Sequence, residues 1–181
     1  MSAEIAALAA RTSLALVHHP VLDRTGKIVT TAITNLDIHD IARASRTFGI
    51  GHYYLVTPVA AQRELAERIV GHWTDGQGRE HNAKRSDALE RVSVVENVDG
   101  AIAAVRAAHG ADPVIVVTGA RPRAGVVSAP QLLSERLADP RPVLILFGTG
   151  WGLEESVFGR ADAVLSPIRS ASGEALSLIH I

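Results

Sequence analysis

Short β-branched runs alternate with amphipathic helical stretches along nearly the whole chain, the pattern of a parallel sheet with crossover helices, an α/β fold. The predicted strands are Leu14 to Val17, Tyr53 to Val56, Val92 to Val95, Val114 to Val117, Val143 to Phe147 and Ala163 to Leu165. Val114 to Val117 and Val143 to Phe147 are apolar without alternation, which predicts central strands covered on both faces. Between strands, Leu36, Ile38, Ile41, Ala42, Ala44 and Ser45 mark one face of a helix closed by Gly49, with Asn35 or Asp37 as its N-cap. Ala60 to Trp73 carries apolar residues at Leu65, Ala66, Ile69, Val70 and Trp73, and Val98 to Ala108 reads as a third helix. Thr74 to Asn82, with Gly76 and Gly78, reads as a mobile polar loop.

Composition narrows the class. With 181 residues, 47% hydrophobic and 20% charged, the chain resembles an ordinary globular domain, and folding at this size buries roughly 70% of the unfolded surface. There is no cysteine, which excludes a disulfide framework, a thiolate nucleophile and thiolate metal sites. No run approaches the roughly 20 apolar residues that span a bilayer, and Met1 to Arg11 lacks the features of a secretory signal, so no membrane association and a cytoplasmic location are expected. Eighteen basic against 19 acidic residues exert no global pull on nucleic acid, so RNA binding would need a local basic patch. The expected organisation is a poorly ordered leader over 1–12, one domain over 13–170 and an atypical tail over 171–181.

In open parallel sheets the ligand site lies at the strand C-terminal ends. Three loops sit there: Thr118 to Arg123, Phe147 to Leu153 and Ser166 to Gly173. Gly148, Gly150 and Gly152 space the second like a nucleotide cradle, but Leu153 stands where a dinucleotide fingerprint needs its last Gly, and the loop follows the fifth predicted strand rather than the first. Taken alone, it reads equally as a strand-to-helix turn. Asp37, His39 and Asp40 form a polar cluster, in which an Asp or His is a candidate general base and capping or solvation is the plainer reading. His18 and His19 could line a site at the first strand's end. No metal site is expected from His18, His19 and His39, because no carboxylate–His motif accompanies them.

Six stretches together carry a more specific signal: Leu14 to Pro20, Thr30 to Arg43, Tyr53 to Pro58, Thr118 to Arg121, Leu146 to Leu153 and Ser166 to Arg169. Over Leu14 to Arg169 the chain resembles the SPOUT class of knotted RNA methyltransferases, and within it a small bacterial family. The resemblance implies a sheet whose last part is tied in a trefoil knot, an exception to the rule that chains do not thread loops. It also implies S-adenosylmethionine as cofactor, held bent in the three loops by Thr118, Gly119, Ala120, Arg121, Phe147, Gly148, Thr149, Gly150, Gly152, Pro167 and Ile168, with Phe147 and Ile168 against the adenine.

In related ribose methyltransferases an Arg stands six residues before a Gly, as Arg43 does before Gly49. The resemblance therefore makes Arg43 a candidate to bind RNA phosphate or stabilise the acceptor, beside Asp37 and His39, whose residue types make them candidate general bases for a ring nitrogen. Those enzymes carry Asn where this chain has Asp37, which argues against a ribose acceptor. The expected activity is methylation of RNA, tRNA before rRNA, with guanine N1 as an acceptor and the target base splayed from its stack. The alternatives are a non-catalytic RNA- or nucleotide-binding module of the same fold and a Rossmann-like NAD-binding enzyme. Arg79, Lys84, Arg85, Arg121 and Arg123 are candidates for an RNA-phosphate surface, and Trp151 for stacking or a dimer contact.

Beyond Arg169 the pattern breaks. The class continues into a long helix that passes through the knot and builds a homodimer, whereas this chain reads Ala171 to Ile181. The tail is expected to be artefactual, the knot incomplete, and dimerisation and cofactor binding dependent on the missing helix.

Overall fold

The structure, a computed structural model, describes residues 2–75 and 78–170. The chain opens with α1 (Ala3–Ala10), β1 (Thr12–Val17), the short strands β2 (Val21–Leu22) and β3 (Ile28–Val29), α2 (Asn35–Phe48) and β4 (His52–Val56). It continues through α3 (Ala60–Thr74), α4 (Gly78–His81), α5 (Ala83–Leu89), β5 (Val92–Val95), α6 (Val98–His109) and β6 (Val114–Thr118). Last come α7 (Ala129–Ala138), β7 (Val143–Gly148), α8 (Glu155–Phe158) and β8 (Ala163–Leu165). Six strands form one sheet in the order β5-β4-β1-β7-β6-β8, every pairing parallel, while β2 and β3 make a separate antiparallel hairpin.

The central strands are covered on both faces, which explains their unbroken apolar runs. On one face Ala15, Val17, Tyr54, Val56, Leu144 and Leu146 pack against Val98, Ala101 and Val105 of α6. On the other, Leu16, Tyr53, Leu55 and Phe147 pack against Ile38 and Ala42 of α2, Ala66 of α3 and Ala88 and Leu89 of α5. β1 has β4 on one side and β7 on the other, so the chain reverses direction across the sheet there. The loops after β6, β7 and β8 gather on the β7 side.

The helix expected to begin at Asn35 or Asp37 as cap is capped one residue earlier. The Thr34 hydroxyl accepts from the Asp37 amide at 3.2 Å and the Asp37 carboxylate accepts from the Thr34 amide at 2.7 Å, a reciprocal capping box. Gly49 ends the helix in the left-handed conformation, as expected.

Two expectations are corrected. Over 2–12 the segment forms α1 and the start of β1: Ser2 caps the helix and Leu8 is buried with Val114, Val116, Leu132 and Val143. Thr74 to Asn82 is not a loop throughout. α3 extends through Thr74, and Gly78–His81 forms a helical turn so close to Trp73 that a Cβ at Gly78 would lie 2.8 Å from its ring. The expectations for the tail 171–181, and for the knot threading and dimer helix beyond Ser170, fall outside the described residues.

Candidate active site

The three strand-end loops enclose a cavity of about 830 Å³, within the size range of small-molecule and cofactor sites. Of the eleven loop residues singled out for cofactor, ten line it: Thr118, Gly119, Ala120, Arg121, Phe147, Gly148, Gly150, Gly152, Pro167 and Ile168. The eleventh, Thr149, sits behind the wall and hydrogen-bonds Thr31 through paired hydroxyls. Sequence reasoning missed part of the lining. Leu22, Gly26 and Ile28 of the β2–β3 hairpin, with Glu154, Glu155 and Phe158, complete it. The hairpin's signal was the turn composition of Asp23 to Lys27 between two short apolar pairs.

The loops are locked to one another. Loop two lies along β2, with the Trp151 amide donating to the Leu22 carbonyl at 2.8 Å and the Leu22 amide to the Gly152 carbonyl at 2.9 Å. This approach demands glycine at 150, where φ is +58° and a Cβ would sit 2.8 Å from the Leu22 oxygen. At Gly148 a Cβ would meet the Leu153 side chain at 2.8 Å. Loops one and three join at Val127, whose amide donates to Val164 and whose carbonyl accepts from Ser166. Arg123 ties loop one to α8, bonding both carboxylate oxygens of Glu155 at 2.9 and 2.7 Å and lying 3.5 Å over the Phe158 ring. This pairing holds the Glu155 carboxyl below its ordinary pKa and raises that of Arg123.

The chemistry of the lining suits S-adenosylmethionine. Phe147, Leu153, Leu165, Pro167 and Ile168 offer apolar walls for a flat base, and the glycines bring backbone within reach of it. Arg121, with no ion-pair partner among the described residues, suits a carboxylate, and the Glu154 carboxylate is the complement for a cationic group. The Glu154 carboxylate also accepts from the Ser156 hydroxyl and, capping α8, from the Ser156 amide at 2.9 Å, and these bonds, the hydroxyl's first, lower its pKa.

Asp37, His39 and Arg43 lie together on α2 and do not line the cavity. They are linked to it through Phe147, which faces the cavity and also packs in the cluster that holds Ile38 and Ala42. The Asp37 carboxylate is engaged by the capping box, and its carbonyl accepts from the buried Tyr53 hydroxyl at 3.0 Å. His39 packs edge-on against Trp73, its ring centroid 6.0 Å away, and burial with the nearby Arg85 and Arg43 charges lowers its pKa. Arg43 is exposed and pairs with Asp40 at 3.6 Å. An exposed pair of this kind contributes only about 0.3–0.5 kcal/mol, so Arg43 exchanges it readily for another anion.

Behind loop two, His18 is fully buried at the end of β1. Its Nδ1 lies 3.0 Å from the Thr31 hydroxyl, and its Nε2 has no partner. Burial lowers its pKa despite the opposing charge of Asp37, so the ring is neutral at pH 7. His19 bonds Thr30 instead, and among the described residues no three metal-ligating side chains cluster. Of the other basic candidates, Arg79 pairs with Glu90, and Arg85 stacks on Trp73 at 4.6 Å. Among the described residues no helix is long and apolar enough to cross a membrane.

Comparison with known proteins gives this geometry its context. Residues 11–175 match the family model for SAM-dependent RNA methyltransferases. A tRNA (guanine-N(1)-)-methyltransferase of Oleidesulfovibrio alaskensis is 44% identical over 161 residues, covering 88% of this chain and 37% of its own; the chain thus spans little more than a third of that relative. The fold is shared with a methylase family protein of Haemophilus influenzae (TM-score 0.60, 18% identity, 94% of this chain and 60% of the other). It is also shared with the SpoU methyltransferase AviRb of Streptomyces viridochromogenes (TM-score 0.51, 17% identity, 93% and 53%). Strand order, strand-end cavity and family match agree: the chain belongs to the SAM-dependent RNA methyltransferases.

Proposed function

We propose that the cavity between the loops after β6, β7 and β8 holds S-adenosylmethionine for methyl transfer to tRNA, with guanine N1 as the acceptor. The observation that carries this reading is the convergence of ten of the eleven loop residues on one cavity of about 830 Å³. When bound, S-adenosylmethionine supplies an activated methyl group on a sulfonium, leaving alignment and charge complementarity to the protein. Phe147 and Ile168 hold the adenine, Arg121 the carboxylate, and Glu154 the cationic end. Thr149 acts from behind, fixing loop two to Thr31.

On the acceptor side, Arg43 is the exposed one of the three α2 candidates, and it holds a phosphate or the charge developing on the acceptor. Asp37 and His39 serve it by position: Asp37 fixes the first turn of α2, and His39 lies one helical turn before Arg43. The tRNA and guanine-N1 assignment draws on the relative's name, which describes a chain much longer than the matched part. Two copies of the chain form the working unit.

The test is incubation of the protein with methyl-labelled S-adenosylmethionine and, separately, unmodified tRNA and rRNA, followed by nucleoside mass spectrometry. The expected product is 1-methylguanosine in the tRNA. Label in rRNA or at another atom would reassign the substrate within the same chemistry, and no transfer to either RNA would favour the non-catalytic module.

A further inference from the structure

The β2–β3 hairpin has a role that the cofactor cavity alone does not require. Its turn, Asp23 to Lys27, is built from within: the Asp23 carboxylate accepts from the Thr25 amide at 2.7 Å, the Thr25 hydroxyl at 2.7 Å and the Lys27 amide at 3.0 Å. The Asp23 amide donates to the Lys27 carbonyl at 2.9 Å, and Gly26 supplies the positive φ of +83° that closes the turn. The one acidic side chain of the tip is thereby occupied by the turn. Arg24 and Lys27 are both exposed, and neither has an ion-pair partner among the described residues.

Nine of the chain's 18 basic residues are, by contrast, engaged in ion pairs among the described residues. Arg43, Arg46, Arg79, Arg91, Arg106, Arg123, Arg136, Arg141 and Arg160 all lie within ion-pair distance of carboxylates. The unpaired cations Arg24 and Lys27 sit on the hairpin whose Leu22, Gly26 and Ile28 line the cavity, and unpaired Arg121 lines it directly. The hairpin is held in place by the Leu22 bonds to Trp151 and Gly152, and by the Glu154 amide donating to the Pro20 carbonyl at 3.2 Å. It therefore presents two cations at a fixed position beside the cavity, on a chain whose overall charge is −1.

We propose that Arg24 and Lys27 form a phosphate clamp that grips the RNA backbone next to the nucleotide entering the site, an assignment that rests on the RNA methyltransferase reading above. Backbone phosphates need point charges or forks without base specificity, which an exposed Arg–Lys pair on a rigid turn supplies. The occupant is RNA; Ile28, 56% exposed between the turn and the cavity, gives the adjoining sugar an apolar surface.

The test compares wild type with Arg24→Ala/Lys27→Ala and with a charge-matched control remote from the cavity, Arg68→Ala/Arg106→Ala. Affinity for unmodified bulk tRNA is measured by fluorescence anisotropy from about 50 to about 200 mM salt, alongside calorimetric S-adenosylhomocysteine binding and methyl transfer. The hairpin variant is expected to bind tRNA roughly tenfold or more weakly, with the log–log salt slope shallower by about 1.4–1.8, the contribution of two phosphates. Its KM for tRNA rises while kcat and S-adenosylhomocysteine affinity hold, and the control matches wild type. Unchanged tRNA affinity and slope in the hairpin variant, with wild type methylating RNA normally, would overturn the clamp and leave the methyltransferase reading intact. Wild-type protein that neither binds nor methylates RNA would overturn both. A loss of S-adenosylhomocysteine binding in the hairpin variant would reassign the cations to cofactor and overturn the clamp.

Discussion

Thr31 and Thr149, 118 positions apart, share a hydroxyl-to-hydroxyl hydrogen bond that joins the segment leading into α2 to the second cavity loop. Thr31 also reaches His18 Nδ1 at 3.0 Å and donates its amide to the His18 carbonyl at 3.0 Å, while Thr149 Oγ1 lies 3.4 Å from the Val17 carbonyl. One small polar network thus ties the end of β1, the approach to α2 and the loop that carries Phe147, Gly148 and Gly150. In a half-buried setting the network is worth most when every member is present. A double-mutant cycle of Thr31→Val and Thr149→Val, read by urea unfolding, is expected to give a coupling of about 0.5–1.5 kcal/mol. Strictly additive losses would show that the two hydroxyls do not act together.

The same network carries a pH dependence. In the unfolded chain His18 takes up a proton near pH 6.5, whereas burial holds it neutral to lower pH in the folded protein. The unfolded state therefore binds more protons below about pH 6.5, and stability falls as pH drops through that range. His39 and His52, both lowered first by burial, act in the same direction. Urea midpoints are expected to fall from about pH 7.5 to about pH 5, and less steeply in His18→Asn, which keeps a donor near the Nδ1 position. Identical slopes in the two proteins would remove His18 from this dependence.

Glycine geometry separates local strain from site function. Gly150→Ala forces a side chain into left-handed backbone and against the Leu22 oxygen, so it is expected to cost roughly 1–3 kcal/mol and to weaken S-adenosylhomocysteine binding. Gly110→Ala, at the left-handed end of α6 with nothing within 4 Å of a Cβ, is expected to cost about 1 kcal/mol and leave cofactor affinity unchanged. Calorimetric titration of both variants checks the contrast; equal effects on affinity would mean that loop two is not part of the site.

Arg43 gives the acceptor-side prediction. Because its ion pair with Asp40 is exposed and long, Arg43→Ala is expected to leave stability within about 0.5 kcal/mol of wild type. S-adenosylhomocysteine affinity should also hold, while methyl transfer falls by roughly 10²-fold or more. Single-turnover assays with tRNA read the loss, and a normal rate would remove Arg43 from the acceptor side.

The inner strands were legible in the sequence because burial on both faces leaves short runs of β-branched and aliphatic residues, as at Val114 to Val117, and the half-buried edge strands β5 and β8 were legible as short apolar runs spaced between helical stretches. The cavity loops were legible for the same reason, since they follow those strands. What stayed hidden depends on tertiary contact. α1 is short, and its order comes from Leu8 entering the α7 side of the core. The turn after α3 is set by the approach of Gly78 to Trp73. The hairpin has two residues per strand, too few for a period to register, and it is held by Gly150 and Leu22, far apart in the chain. α7 lies between Asp112 and Asp139 on the far side of loop one, where Ser128 caps it and Pro130 stands in its first turn, signals readable only once a helix is sought there.

The central claim is that the strand-end cavity binds the cofactor, and calorimetric titration of S-adenosylhomocysteine into wild type and Ile168→Glu tests it most directly. Ile168 is 67% exposed at the cavity edge, so the substitution puts a carboxylate in the site without disturbing the core. The expected result is one-to-one binding by wild type and at least tenfold weaker binding by the variant, about 1.4 kcal/mol. No binding by wild type, or equal affinity in the two, would contradict the assignment.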